Sequence, residues 1–153
     1  MKKIKFLLKI VKEMVRRNKS IKVILARGST AYGKIKNYGD IDLEIYTEKP
    51  KKLPYYKILN FNGKKVLLTA YFYRFKKGEE IKKRKISKNI RVLYGCYNSN
   101  LKPSFKKEKY NKKERTIRDK QLYLDFLFKY KRTKDKKLLS TILKYKRKIG
   151  SKK

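Results

Sequence analysis

Only one cysteine, Cys96, occurs in the 153 residues. An internal disulfide is therefore excluded, and a reducing compartment, with the cytoplasm as the default, is the expectation. No run of about eighteen apolar residues is present, which excludes an ordinary transmembrane helix. The start, Met1-Lys2-Lys3-Ile4-Lys5-Phe6, is basic and then apolar, as a secretory signal would be. Lys9, Lys12 and Glu13 interrupt it at helical spacing, and no small-residue cleavage site follows. Acids are scarce as well. Twelve Asp and Glu stand against 48 Lys and Arg, a formal net charge of +36. A Lys-rich chain adapted to heat would balance that charge with Glu in ion-pair networks, and here the Glu is not supplied.

The positive charge is spread along the chain rather than gathered in a tail. Such a field attracts polyanions, with RNA the favoured partner, and its self-repulsion works against the compact state. The compositional alternative is AT-rich coding, which favours Lys, Ile, Asn and Tyr together. The length suits one domain, and an apolar content of 40% allows a modest core.

Hydrophobic spacing divides the chain. Ile4, Leu7, Leu8, Val11, Met14 and Val15 recur at helical intervals, and Asn18-Lys19-Ser20 ends that helix. Ile21 to Ala26 reads as a central strand, residues 29–35 as a short helix, and Asp40 to Tyr46 as a second strand. Two prolines mark 49–54 as a loop. Tyr55 to Phe61 and Lys64 to Phe75 flank Asn62-Gly63, a type I′ hairpin signal. The charged segment Gly78 to Lys88 is predicted helical, and Ile90 to Tyr94 a strand. A polar, flexible stretch is expected from Asn98 to Asn111. Two basic helices close the chain, one marked by Ile117, Leu124, Leu127 and Phe128, the other by Leu138, Ile142, Tyr145 and Ile149.

The chemistry concentrates in Gly28-Ser29-Thr30-Ala31-Tyr32-Gly33 and, five residues on, Gly39-Asp40-Ile41-Asp42-Leu43. Alternate strand residues share a face, so Asp40 and Asp42 project together while Ile41 and Leu43 point into a core. Two adjacent carboxylates repel unless a cation lies between them, and hard oxygen ligands of this kind suit Mg²⁺ with substrate phosphates. A Gly-Ser turn at a strand end offers backbone N–H groups and a hydroxyl to phosphate oxygens. The bland alternative is a turn followed by a strand with two solvent-facing acids.

These residues resemble the signature of the DNA polymerase beta-like nucleotidyltransferase superfamily. The nearest likeness is to the minimal nucleotidyltransferases, whose motif runs Gly-Ser-x-Ala-Arg-Gly-x5-Ser-Asp-x-Asp-Leu. Gly28, Ser29, Ala31, Gly33, Asp40, Asp42 and Leu43 fall in register without a gap. Tyr32 stands where the family often has Arg, and Gly39 where it often has Ser. Arg91-Val92-Leu93-Tyr94 resembles a late family strand that commonly ends Leu-Tyr-Asp, with Gly95 in place of the Asp. The resemblance implies an α/β (α+β) fold, a mixed sheet flanked by helices with C-terminal basic helices. Residues 1–97 would form the nucleotidyltransferase core, and 98–153 a basic linker and helical segment packed on the same domain.

By the same resemblance, an acceptor hydroxyl attacks the α-phosphorus of a nucleoside triphosphate and pyrophosphate leaves. Gly28 and Ser29 would hold the β- and γ-phosphates, with Arg27 within reach of them. Asp40 and Asp42 would be the catalytic, Mg²⁺-binding pair. The acceptor is RNA or, as in toxin–antitoxin relatives that adenylylate partners, a protein. The family also places a third carboxylate on a later strand. Here that strand, Val66 to Tyr73, holds no acid, and Thr69 is nearest the position. Glu44, Glu79, Glu80 or a partner chain are the substitutes. Three readings follow: an active nucleotidyltransferase, a nucleotide- or RNA-binding relative with impaired catalysis, and a basic nucleic-acid module whose acids are incidental.

Overall fold

The computed structural model describes residues 2–81, 85–87, 89–98, 100–103 and 109–151. Helix α1 (Lys3–Arg17) forms because Phe6, Leu7 and Val11 recur on one side, where all three are buried. Asn18 stops it. Its N–H reaches the Met14 carbonyl at 3.0 Å, and its Oδ1 accepts from the Ser20 N–H and hydroxyl at 3.1 and 2.7 Å. The chain continues through β1 (Ile21–Arg27), α2 (Ser29–Tyr32), β2 (Tyr38–Thr47), β3 (Tyr55–Phe61) and β4 (Lys64–Arg74). Short strands β5 (Glu80–Ile81) and β6 (Lys85–Ser87) precede β7 (Ile90–Tyr94) and β8 (Tyr97–Asn98). Helices α3 (Lys112–Thr133) and α4 (Leu138–Gly150) follow.

Six strands form one mixed sheet in the order β3-β4-β2-β1-β7-β6, and β5 pairs with β8 apart from it. The β3–β4 hairpin turns at Asn62 and Gly63, with φ of +49° and +75°, the two left-handed residues that a type I′ turn requires. β4 then runs parallel to β2, with Thr69 opposite Asp42. Along β2, Ile41, Leu43 and Ile45 enter the core beneath α1, together with Ile24, Ala26, Val66 and Leu68. Asp40, Asp42 and Glu44 therefore lie on the opposite face. That face has its own apolar patch of Val23, Leu25, Tyr46, Val92 and Leu101, and α3 packs along its remainder.

Helix α3 begins with a reciprocal cap. Asn111 Oδ1 accepts from the Glu114 N–H, and Glu114 Oε2 accepts from the Asn111 N–H, each at 2.8 Å. It ends at Lys134, whose φ is +58°. Helix α4 lies against α3, and the rings of Phe126 and Tyr145 stack at 5.9 Å. No described helix is long and apolar enough to cross a membrane. The architecture is the expected mixed α/β sheet flanked by helices.

Two segments differ from the sequence reading. The predicted helix over 78–88 gives way, among the described residues, to β5 and β6. Ile81 and Ile86 alone supply no apolar stripe for a helix to bury, while β7 and β8 offer unpaired backbone edges. The polar stretch after Asn98 is also not uniformly loose. Leu101 is 1% exposed and joins the second apolar cluster, whereas residues 104–108 lie outside the described set. Gly95 has its own reason to be glycine. Its φ is +72°, and a Cβ there would stand 2.0 Å from the Lys22 carbonyl oxygen, so no side chain fits.

Candidate active site

Arg27 delivers the chain to Gly28, whose φ of +57° and ψ of −138° suit a residue without a side chain. The backbone turns at once into α2. Gly33 closes that turn with an N–H bond of 2.6 Å to the Ser29 carbonyl. A Cβ on Gly33 would sit 2.7 Å from the same oxygen, so this close approach also needs glycine. Lys3 reaches over from α1 and donates to the carbonyls of Ser29 and Gly33 at 2.9 and 2.5 Å. Burial lowers its pKa, and the nearby Asp40 charge opposes that shift. Buried Thr30 accepts a 3.0 Å bond at Oγ1 from the Asp42 N–H. The Gly-Ser turn and the carboxylate strand are thus tied together directly.

Asp40 and Asp42 project from the same face of β2, as their spacing requires. Arg132 Nη1, from the end of α3, meets Asp40 Oδ1 at 2.5 Å. Asp42 is open to solvent, and among the described residues no hydrogen bond or ion pair occupies its carboxylate. The surrounding protein still strips away much of its water. Desolvation first, then the Asp40 charge, raise its pKa to about 6, with Arg132 pulling the other way.

A third carboxylate joins this pair from a helix. Arg118, Gln121, Asp125, Phe128 and Arg132 recur every three or four residues on α3 and form the side that meets the sheet. Phe128 is 4% exposed and packs edge-on against Tyr38, ring centroids 5.9 Å apart. Its burial contributes about 1.5–3 kcal/mol to holding α3 in place. Lys131 adds a cation over the Tyr38 ring at 5.0 Å. Asp125 accepts a hydrogen bond from the Nε2 of fully buried Gln121. Desolvation and the charge of Asp42, with a smaller push from Asp40, raise the Asp125 pKa to about 7 against the pull of Arg118. These three carboxylates therefore feel one another across β2 and α3.

Asp125 was not among the sequence candidates, though a signal exists. It is the only acid within Leu122-Tyr123-Leu124-Asp125-Phe126-Leu127-Phe128, and an ionisable group held in apolar surroundings is a functional-site signal. The candidates named for this role are placed otherwise. Glu44 shares the face of Asp42 but is 9% exposed. It is held by Arg27 Nε at 2.6 Å and by the Tyr46 hydroxyl at 2.9 Å. Arg27 is accordingly committed to Glu44, farther along the sheet than the Gly-Ser turn. Glu80 belongs to β5, paired with β8. Exposed Glu79 precedes it in the chain. Thr69 is buried beside Asp42 in register, without charge.

Asp40 and Asp42 each line one of two cavities. The smaller, about 250 Å³, is lined by Lys3, Ser29, Lys34, Lys36, Asp40 and Arg132 among others. The larger, about 750 Å³, opens on Asp42 and Glu44 and is walled by Tyr71, Tyr73, Tyr110 and Arg118 among others. Four cations around Ser29 form an anion-binding chemistry. The donor set on β2 also fits a hard divalent cation. Asp40 and Asp42 supply two carboxylates on one face, and Asp42, without a partner among the described residues, has its pKa raised by desolvation and then by the Asp40 charge. Among the described residues no group of three or more His, Cys, Asp or Glu could hold a metal ion. An ion here would draw on the β2 pair and complete its shell with water and phosphate oxygens, as Mg²⁺ commonly does.

A mixed sheet that sets a Gly-Ser turn against an Asp-x-Asp strand is the architecture of a nucleotidyl-transferring domain. The family model described as nucleotidyltransferase domain matches residues 7–149. The chain belongs to that family, whose general activity is nucleotidyl transfer with a nucleoside triphosphate as substrate. No curated protein matches it.

Proposed function

We propose that this chain, with residues 1–97 and 98–153 acting as one unit, transfers a nucleoside monophosphate from a Mg²⁺-bound triphosphate to an acceptor hydroxyl. One observation carries the reading: the Thr30–Asp42 bond fastens the Gly28–Ser29 turn to the strand bearing Asp40 and Asp42. Ser29 with Lys3, Lys34, Lys36 and Arg132 would receive the triphosphate in the smaller cavity. Asp40 and Asp42 would hold Mg²⁺, which supplies charge stabilisation at the phosphoryl oxygens. Asp125, coupled electrostatically to Asp42 and Asp40 across β2 and α3, would take the acceptor proton. The acceptor oxygen bonds to the α-phosphorus, the bond from that phosphorus toward the β-phosphate breaks, and pyrophosphate departs. RNA is the favoured acceptor, and a protein is the competing one.

The test incubates the folded chain with each labelled triphosphate, Mg²⁺, and total RNA or protein. Label on RNA or protein that vanishes with EDTA is the expected result, and label on neither overturns the proposal. An impaired relative is favoured by a single observation, uncharged Thr69 opposite Asp42. Thr69→Asp separates the two readings. An impaired enzyme gains turnover from it. With Asp125 already in service, a further buried acid beside Asp42 lowers both the melting temperature and the transfer rate.

Metal binding has a signature independent of turnover. The folded carboxyls of Asp42 and Asp125 keep their protons to about 6 and 7, whereas unfolded ones lose them near about 3.9. Without a cation, these two groups make stability fall as pH rises from about 4 through 7. Mg²⁺ relieves that repulsion only where the carboxylates are charged. At a hundredfold excess over its Kd it should raise Tm by about 5–10 °C at pH 8 and by much less at pH 5. Equal shifts at both pH values, read by thermal melting, would contradict this assignment.

A further inference from the structure

The larger cavity carries more positive charge than a triphosphate needs. Under the reading above, on which this inference rests, the triphosphate already meets Lys3, Lys34, Lys36 and Arg132 in the smaller cavity. Around the 750 Å³ groove stand a second set of cations, including Lys51, Lys52, Arg74 and Arg118, interleaved with Tyr71, Tyr73 and Tyr110. Lys52 is partly engaged, paired with Glu114 at 2.8 Å and poised 5.4 Å from the Tyr110 ring centroid. Arg118 is less satisfied. Its buried Nη1 has no hydrogen-bond partner among the described residues. Arg118 lines the groove, so its positive charge is available to a phosphate seated there.

We infer that this groove binds the terminal nucleotides of a single-stranded nucleic acid, and that the end hydroxyl of that strand is the acceptor. Cations spaced along a groove neutralise successive phosphates, while tyrosine rings stack on bases without regard to sequence. A duplex cannot use those rings, because its bases are already stacked and paired. A peptide would need apolar or acid-reading pockets, and repeated cation–tyrosine alternation matches a polynucleotide better. Asp42 lies in the groove lining, so a strand seated there ends at the carboxylates. Its terminal oxygen bonds to the α-phosphorus, the phosphorus–oxygen bond to the departing pyrophosphate breaks, and the hydroxyl proton passes to Asp125.

The experiment measures anisotropy of fluorescent RNA and DNA strands of roughly ten nucleotides, without nucleotide, against a blunt duplex of equal length. MgNTP binding is measured separately without a strand. The full chain should bind either strand more tightly than duplex, and a preference for RNA would show that the 2′-hydroxyl is read. Tyr110→Ala should weaken strand binding about tenfold. Arg74→Ala, an exposed change that leaves the core intact, should lower the log–log salt slope by about 1. MgNTP binding stays as in the wild type in both variants. Strand binding indifferent to both changes, duplex competing as well as single strands, or label appearing on protein instead of the strand overturns the inference. With MgNTP binding intact, those outcomes leave the transferase reading standing. Absent MgNTP binding removes that reading and this one together.

Discussion

Asp42→Asn should lower Mg²⁺-dependent label transfer by about 10³-fold and leave the fold in place. The size follows from losing several kcal/mol of metal-mediated charge stabilisation, at about 1.4 kcal/mol per factor of ten. The fold survives because the side chain has no partner to lose among the described residues, and the Asp42 N–H still donates to Thr30. Removing a carboxylate whose charge is opposed by desolvation and then by Asp40 should even raise the melting temperature in EDTA at pH 8. Asp40→Asn differs in that second readout. It removes the negative charge from the 2.5 Å pair with Arg132 and leaves a half-buried guanidinium with only a neutral acceptor, so transfer and stability fall together. Transfer by Asp42→Asn within threefold of wild type, measured on a folded sample, would make the acid a bystander.

Much of the fold could be read from spacing because the strongest local signals agree with the tertiary structure. Helix α1 follows from its apolar stripe, and the β3–β4 turn from Asn62-Gly63, where both residues take positive φ. Alternation along β2 separates Ile41, Leu43 and Ile45 from Asp40 and Asp42 without any knowledge of partners. What spacing missed is non-local. Strands β5 and β6 exist because β7 and β8 present edges to them, a fact no window over 78–88 contains. Arg27 stands next to the Gly-Ser turn in sequence, yet antiparallel pairing sets Leu25 against Glu44, and the guanidinium closes on that neighbour. The candidate site was half legible for the same reason. Gly28, Ser29, Asp40 and Asp42 occupy one short segment, whereas Asp125 and Arg132 come from a helix some ninety residues on that only packing brings to β2. The apolar marks Ile117, Leu124 and Leu127 located that helix, but the side it lays on the sheet is the mixed one. There Phe128 anchors it, and Gln121, Asp125 and Arg132 face the carboxylates.

That placement makes Asp125→Asn the more discriminating substitution. Losing a positioned proton acceptor typically slows a reaction by 10²–10⁴-fold, and a fall of about 10² in transfer is expected with MgNTP binding unchanged. The pH profile supplies a readout that a structural role would not move. With the ionised carboxylate as the reactive form, the rate should fall about tenfold per pH unit below the Asp125 pKa, which Mg²⁺ on Asp42 brings below its metal-free value of about 7, and level off above it. In the Asn variant that dependence should disappear. Stability moves in the opposite direction to activity. The Asp125 charge is resisted by desolvation and by Asp42, so the neutral amide raises Tm in EDTA at pH 8 and changes it little at pH 4, where the native acid is already protonated. The bond from Gln121 Nε2 to Asp125 Oδ2 survives the change, because the Asn side chain keeps an acceptor oxygen. A variant that is slower and also less stable at pH 8, with the wild-type pH profile retained, would assign Asp125 to holding α3 on the sheet instead. A further change then ties the helix to the missing strand acid. If Asp125 performs the service that β4 lacks, Thr69→Asp in the Asp125→Asn background should recover part of the lost transfer, because it returns one carboxylate beside Asp42 without adding a fourth charge.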